Sequence, residues 1–177
     1  LEKPDALMEK ARSMEISASP RSFGGGLVSN GEKSSGAMFR GIQPHLEREG
    51  FQLHEKMAEG EFLSDPAQRK VVLGKHLAKS LHASPGDEIV AVVQAADGSM
   101  GNELFTVSGT LSSVGEELDR SAFILHSDDF DELFVADGRV HEIAFNGHGR
   151  FTPEEIRDAM SETAGKDEVK AWHELLP

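Results

Sequence analysis

Apolar and polar positions alternate in short runs along this chain, and the period of each run predicts an element. Leu7, Met8, Ala11 and Met14 recur at helical spacing, and Pro4 suits a first helical position, so a helix is predicted over residues 5–15. An extended stretch follows over 16–23, with Pro20 marking an edge or a bulge. Gly26-Leu27-Val28-Ser29 and Glu32-Lys33-Ser34-Ser35 flank Asn30-Gly31, a hairpin signal. Residues 37–42 read as a strand that Pro44 stops. Residues 45–60 are mostly polar and read as helical in part.

The second half carries more strand signal. A short strand, 71–73, precedes Gly74, and Leu77, Ala78 and Leu81 give a helix over 75–82. The turn Pro85-Gly86-Asp87 leads into a strand over 88–95. Asp97-Gly98 marks a hairpin turn, and 103–111 returns as a strand interrupted at Gly109. Another strand covers 121–125. Residues 127–134 fit a helix with Ser127 as N-cap and Asp128 and Asp129 in the first turn, where the helix dipole favours acids. A strand over 140–145 precedes Thr152-Pro153-Glu154-Glu155, a helix start whose helix runs to Ala164 and stops at Gly165. A last strand is predicted over 168–172. The outer parts thus read helix–strand and strand–helix–strand around a β-rich insert. A split βαβ layout fits them if one more strand precedes Leu1. No internal repeat is visible.

Composition narrows what such a chain does. With 38% hydrophobic and 28% charged residues, it is an ordinary folding sequence. Its 31 acidic against 18 basic residues give a formal charge of −13. That surface repels phosphate backbones, and no concentrated basic run offsets it, so nucleic acid is excluded as a partner. Without cysteine there is no disulfide, zinc–thiolate or iron–sulfur site. No apolar run reaches the roughly 18–20 residues of a spanning helix. The opening Leu1-Glu2-Lys3-Pro4-Asp5 lacks the basic start and apolar stretch of a signal peptide.

Reactive constellations are scarce. Gly26 to Ser34 superficially resembles a phosphate-binding loop, but Glu32 separates Gly31 from Lys33 and a strand follows where a helix is required. His76 and His82 do not share a helix face, and His141 and Glu142 point to opposite faces of a strand. Asp128, Asp129, Asp131 and Glu132 lack the calcium-loop pattern. No Gly-x-Ser-x-Gly elbow is present. Trp172 reads as a core or junction anchor. The expectation is a protein that is not an enzyme, with no catalytic, cofactor-binding or metal-binding residues.

The order of short motifs resembles one family. Ala18-Ser19-Pro20-Arg21, Phe39-Arg40-Gly41-Ile42-Gln43-Pro44, Glu59-Gly60-Glu61-Phe62-Leu63 and Val72-Leu73-Gly74-Lys75-His76-Leu77-Ala78 come first. Gly86-Asp87, Phe105-Thr106-Val107-Ser108-Gly109-Thr110, Asp119, Val140-His141-Glu142-Ile143 and Ala171-Trp172-His173-Glu174-Leu175-Leu176-Pro177 follow. Together they are similar to the periplasmic core domain of MacB/LolC/LolE-type ABC transporter permeases.

The resemblance implies an α+β fold with two units. A Porter-like split βαβ lobe comes from both chain ends (1–26 and 137–177), and a β-rich Sabre-like lobe (27–136) is inserted between them. It implies an extracytoplasmic loop domain of an inner-membrane protein, transmitting ATP-driven motion to substrate or partner proteins in lipoprotein or lipid release or in efflux. Expected partners are a second permease copy or paralogue, a cytoplasmic ABC ATPase, and a periplasmic carrier, adaptor or lipoprotein. ATP is used by the ATPase, separate or fused, with no cofactor in this domain. The tip Asp97, Gly98, Ser99 and Met100 is the expected partner contact. Gly24, Gly25, Gly26 and Gly138 are the expected hinges. The short turn over 95–102 departs from the long carrier-docking hairpin of LolC-type domains. An FtsX-like regulator of a cell-wall hydrolase and, further off, a secreted hydrolase are the alternatives.

Overall fold

The structure is a computed structural model describing residues 1–175, so Leu176 and Pro177 of the last motif lie outside the described residues. It is a mixed α+β fold. Helix α1 (Pro4–Ser13) leads into the long strand β1 (Ser17–Asn30), which turns through Gly31-Glu32 into β2 (Lys33–Ile42). Gly31 takes φ 62°, a left-handed angle that glycine adopts without steric cost. Asn30 is therefore the last paired residue, opposite Lys33, and not part of the turn as the Asn-Gly signal suggested.

Next come α2 (Pro44–Gly50), a single 3-10 turn, β3 (Met57–Gly60), β4 (Lys70–Leu73) and α3 (Lys75–Ser80). The hairpin β5 (Glu88–Gln94) and β6 (Met100–Leu111) follows, then α4 (Glu116–Ser121), β7 (Ala122–His126) and α5 (Ser127–Phe134). The chain closes with β8 (Glu142–Asn146), α6 (Pro153–Ala164) and a 3-10 turn, Trp172–Glu174. The α6 start is a full capping box: Thr152 Oγ1 accepts from the Glu155 N–H, and the Glu155 carboxylate accepts from the Thr152 N–H.

Six strands close on themselves. The order β2-β7-β4-β6-β5-β1 returns to β2 through the β1–β2 hairpin, so no barrel strand is left as an open edge. Strands β2–β7 and β4–β6 run parallel, and the other barrel pairs run antiparallel. Alternate residues of β4 and β7 divide between two clusters. Val71, Leu73, Phe123 and Leu125 point into the barrel with Phe39 and Phe105. Val72, Ala122 and Ile124 point outward, under Phe62 and Leu63. Helix α3 with Leu81 just past its end, and helix α5, supply Leu77, Leu81, Phe130 and Phe134 to the inner core. The Phe39 and Phe123 rings lie 4.5 Å apart, and Phe130 stacks on Phe134 at 4.4 Å.

A second core lies outside the barrel. Leu7 and Ala11 of α1, Ala18 of β1, and Ile156, Met160 and Ala164 of α6 are buried together. Ile143 and Phe145 of β8 pack against them, partly covered. The N-terminal half of β1 pairs with β8 over 17–21, and its C-terminal half pairs with β2 and β5. One strand therefore belongs to both cores.

Three expectations need correction. No strand forms over 168–172. The Glu174 carboxylate folds back to accept the Ala171 N–H at 2.8 Å, which makes a 3-10 turn, and the segment's Lys166, Asp167, Glu168 and Lys170 leave few side chains to bury. Trp172 is no core anchor: it is 64% exposed, while Ala171 occupies the buried position. The cap of α5 is His126 and not Ser127, because its Nδ1 accepts the Asp128 N–H at 3.1 Å.

Candidate contact surface and junction between the two cores

The junction is built around a buried ion pair. Arg21 lies where β1 changes partner from β8 to β2, opposite both Glu142 and Ile42. Its guanidinium donates to both oxygens of Glu47 on α2, at 2.8 and 3.1 Å. Glu47 is 2% exposed and also accepts from the Ser19 hydroxyl at 2.8 Å. Arg21 reaches Glu142 on β8 at 3.3 Å and lies over the Phe51 ring. Burial alone lowers the Arg21 pKa, but Glu47 and Glu142 outweigh it and the net direction is upward. Arg40, stacked over Phe23 beside this cluster, is lowered by burial and by the Arg21 charge. A forked guanidinium on a buried carboxylate fixes both distance and angle. It therefore fixes how β1, α2 and β8 meet.

The return chain is bound to the same strand. The Ser22 hydroxyl donates to the Arg139 carbonyl, the His141 N–H donates to the Arg21 carbonyl, and His141 Nδ1 accepts the Phe23 N–H. Gly138, one of the expected hinges, precedes this zipper with φ 72° and open space around it. Gly24, Gly25 and Gly26 lie inside β1, paired in unbroken register with β2. A Cβ at Gly24 would meet the Phe134 ring, and one at Gly26 would meet Val93 and Phe39.

The expected contact tip sits at the far end of the β5–β6 hairpin. Ser99 donates its N–H and hydroxyl to Asp97 Oδ1, and Gly98 takes φ 86°. The Ala96 N–H, in the turn itself, donates to the Phe134 carbonyl at 2.8 Å, so the hairpin tip is tied to the end of α5. Met100 is 69% exposed. Leu27 and Leu104 are also exposed on the outer face of the barrel, on the same hairpin strands and neighbouring β1. Single exposed apolar residues are ordinary, and these stand on β6 and β1 with β5 between them.

Two other motif residues hold the frame. Asp119 is buried and accepts from the Ser113 hydroxyl at 2.6 Å and the Val114 N–H at 2.9 Å, which lowers its pKa. Gly74 lets α4 approach, since a Cβ there would strike the Leu118 carbonyl. The pattern also missed a carboxylate shared by two imidazoles. Asp65 accepts from His126 Nε2 at 2.7 Å and faces His45 Nδ1 at 3.1 Å, and the His126 bond chiefly lowers its pKa. Because His126 Nδ1 accepts the α5 cap bond, Nε2 carries the proton. Nothing local in the sequence marks Glu47 or Asp65, because their partners lie 26 and 61 residues away. Among the described residues no group of three or more His, Cys, Asp or Glu is arranged to hold a metal, and no helix is long and apolar enough to cross a membrane.

This fold is that of extracytoplasmic domains of ABC-type transporters. The extracellular domain of the noncanonic ABC-type transporter YknZ from Gram-positive bacteria superposes with TM-score 0.64 at 12% identity, covering 94% of this chain and 86% of that one. The periplasmic region of MacB from Actinobacillus actinomycetemcomitans gives TM-score 0.64 at 16% identity, covering 91% and 75%. The chain belongs to the MacB-like periplasmic core domain family, which matches residues 1–163. The lipoprotein-releasing system transmembrane protein LolC of Xylella fastidiosa (strain Temecula1 / ATCC 700964) is 31% identical over 114 residues, 61% of this chain and 28% of that protein. LolC of Neisseria meningitidis serogroup B is 27% identical over 131 residues, 71% of this chain and 32% of that protein. The chain thus spans about 30% of the length of the curated relatives it matches. It is an extracytoplasmic domain of a MacB/LolC-type ABC transporter permease, a class that does not itself catalyse a reaction.

Proposed function

We propose that this domain transmits ATP-driven motion from a membrane-embedded permease to a partner or substrate protein outside the cytoplasm. The observation that carries this reading is β1, a single 14-residue strand shared by both cores. At about 3.3 Å per residue it forms a rod of roughly 45 Å. Residues 1–26 and 137–177 act as the Porter-like lobe near the membrane, and 27–136 act as the Sabre-like lobe that meets the partner. The tip Asp97, Gly98, Ser99 and Met100 makes that contact. Flexing is assigned to Gly138, which has both the open space and the left-handed angle to permit it. In the triplet Gly24, Gly25 and Gly26, the first and last sit against Phe134 and Phe39 with no room for a Cβ, and the triplet contributes less.

ATP is hydrolysed by a cytoplasmic ABC ATPase, and a second permease copy or paralogue completes the assembly. The cargo class is lipoprotein or lipid release or efflux, with a carrier, adaptor or lipoprotein as the periplasmic partner. The short tip argues against a hairpin that reaches deep into a carrier. Replacing Arg21 by Ala in the reconstituted full transporter tests the reading. ATP hydrolysis should stay within about twofold while transport falls roughly tenfold, because about 1.4 kcal/mol of lost coupling is a factor of ten. Unchanged transport in a correctly assembled transporter would overturn the role of β1 as the coupling rod.

A further inference from the structure

A cleft of about 620 Å³ opens between β3 and α3, away from the hairpin tip and from the Arg21–Glu47 junction. One wall is β3, through Ala58 and Glu59, and the other carries Lys75, Lys79 and His82. Strand β3 lies beside the end of β6, next to the place where β5 begins, and pairs with β6 alone. Its other edge is unpaired among the described residues, and Ala58, Glu59 and Gly60 are exposed. The edge is four residues long and bulged between Met57 and Glu59, so it offers a short row of unpaired backbone donors and acceptors to another extended chain.

The charge of the cleft runs against that of the molecule. The whole chain carries −13, yet two lysines and a histidine face one acid, Glu59, across the opening. Neither Lys75 nor Lys79 is ion-paired among the described residues, so both ammonium groups are available to a ligand. The cleft volume falls in the range of about 300–1,000 Å³ common to ligand sites.

We propose that this cleft binds an extended, acidic peptide segment of a partner protein, which adds as a strand to the free edge of β3 while its carboxylates meet Lys75 and Lys79. The open strand edge favours a peptide over an anionic lipid, because a headgroup brings no matching row of backbone groups. Glu59 opposes the acids and limits affinity. This second contact is independent of the hairpin tip and of whether the domain transmits motion.

Fluorescence anisotropy of a labelled peptide of alternating valine and glutamate, titrated with this chain, tests the proposal. Saturable binding is expected, weakened about tenfold or more by the Lys75→Glu, Lys79→Glu double variant, where tenfold corresponds to about 1.4 kcal/mol. Glu59→Gln should tighten binding by a few-fold. The same peptide N-methylated at alternate residues should not bind, and the unmethylated peptide should slow hydrogen exchange at residues 58–60. Both lysines are exposed, and a Lys75→Gln, Lys79→Gln pair with an unchanged melting profile serves as the second variant. The proposal is overturned if the peptide does not bind, if the lysine variants bind it equally, or if methylation has no effect. Binding only to phosphatidylglycerol vesicles would overturn it in favour of a lipid site.

Discussion

The two cores of this molecule are held together in different ways. In the barrel, each strand finds a neighbour on both sides, and the aromatic interior of Phe39, Phe105 and Phe123 is sealed by α3 and α5. In the second core, β8 pairs only with β1 among the described residues, and much of the lining is only partly covered, including Met8, Met14, Phe145 and Phe151. The barrel is therefore self-sufficient, whereas the smaller core borrows its central strand from it. Such an arrangement gives a stiff head on an adaptable base. The Arg21–Glu47–Glu142 cluster is the fastening between them.

The contrast can be broken at its strong end. Phe123→Ala removes a fully buried ring from the barrel and should cost about 3–5 kcal/mol. Because the second core depends on β1, denaturant unfolding followed at both cores should still show one transition, moved to lower denaturant. A second core that stays folded after the barrel melts would disprove its dependence. A smaller effect is expected from Thr152→Ala, which removes half of the α6 capping box and should cost about 1 kcal/mol. Hydrogen exchange should rise along α6 and leave β4 and β7 unchanged.

Acid supplies the smallest effect. Asp65 has a lowered pKa, held down mainly by the hydrogen bond from His126. A carboxyl lowered in the folded state contributes stability above its ordinary pKa of about 3.9, and that contribution is lost as pH falls through the lower, folded value. Stability should therefore decline below about pH 4, and Asp65→Asn should flatten that part of the profile. Asp65 is 45% exposed at its side chain, so solvent screening keeps the change small. A profile identical in wild type and variant would remove Asp65 from the account.

Much of the fold was legible because its elements carry strong local signals. The Asn30-Gly31 hairpin, the Val-rich β5 and the Thr152 cap each announce themselves within a few residues. Strand β3 does not: Met57-Ala58-Glu59-Gly60 has no alternation, and pairing with β6 alone makes it a strand. Helix α4 is six residues of mostly charged sequence, stabilised by packing on α3. Periodicity wrongly extended the chain end into a strand: Val169 packs on the second core and Ala171 is buried, but the segment makes no strand pairing and closes in a 3-10 turn. The junction was the least legible part. Arg21 stood in a recognisable motif, but the burial of Glu47 in the charged run Leu46-Glu47-Arg48-Glu49 follows only from where α2 lands on β1. The cleft was hidden for the same reason, since its lysines and its strand edge come from separate elements.

Removing the fastening tests the central claim most directly. Glu47→Ala leaves Arg21 largely buried with only Glu142 for company, and breaking such a pair costs about 3–5 kcal/mol. Amide hydrogen exchange, resolved by residue, should accelerate on the order of a hundredfold across β8 and α6, as expected for about 3 kcal/mol. The amides of β4 and β7 inside the barrel should keep their protection. Equal acceleration throughout, or none at β8, would contradict a stiff head joined to its base by the Arg21–Glu47 pair.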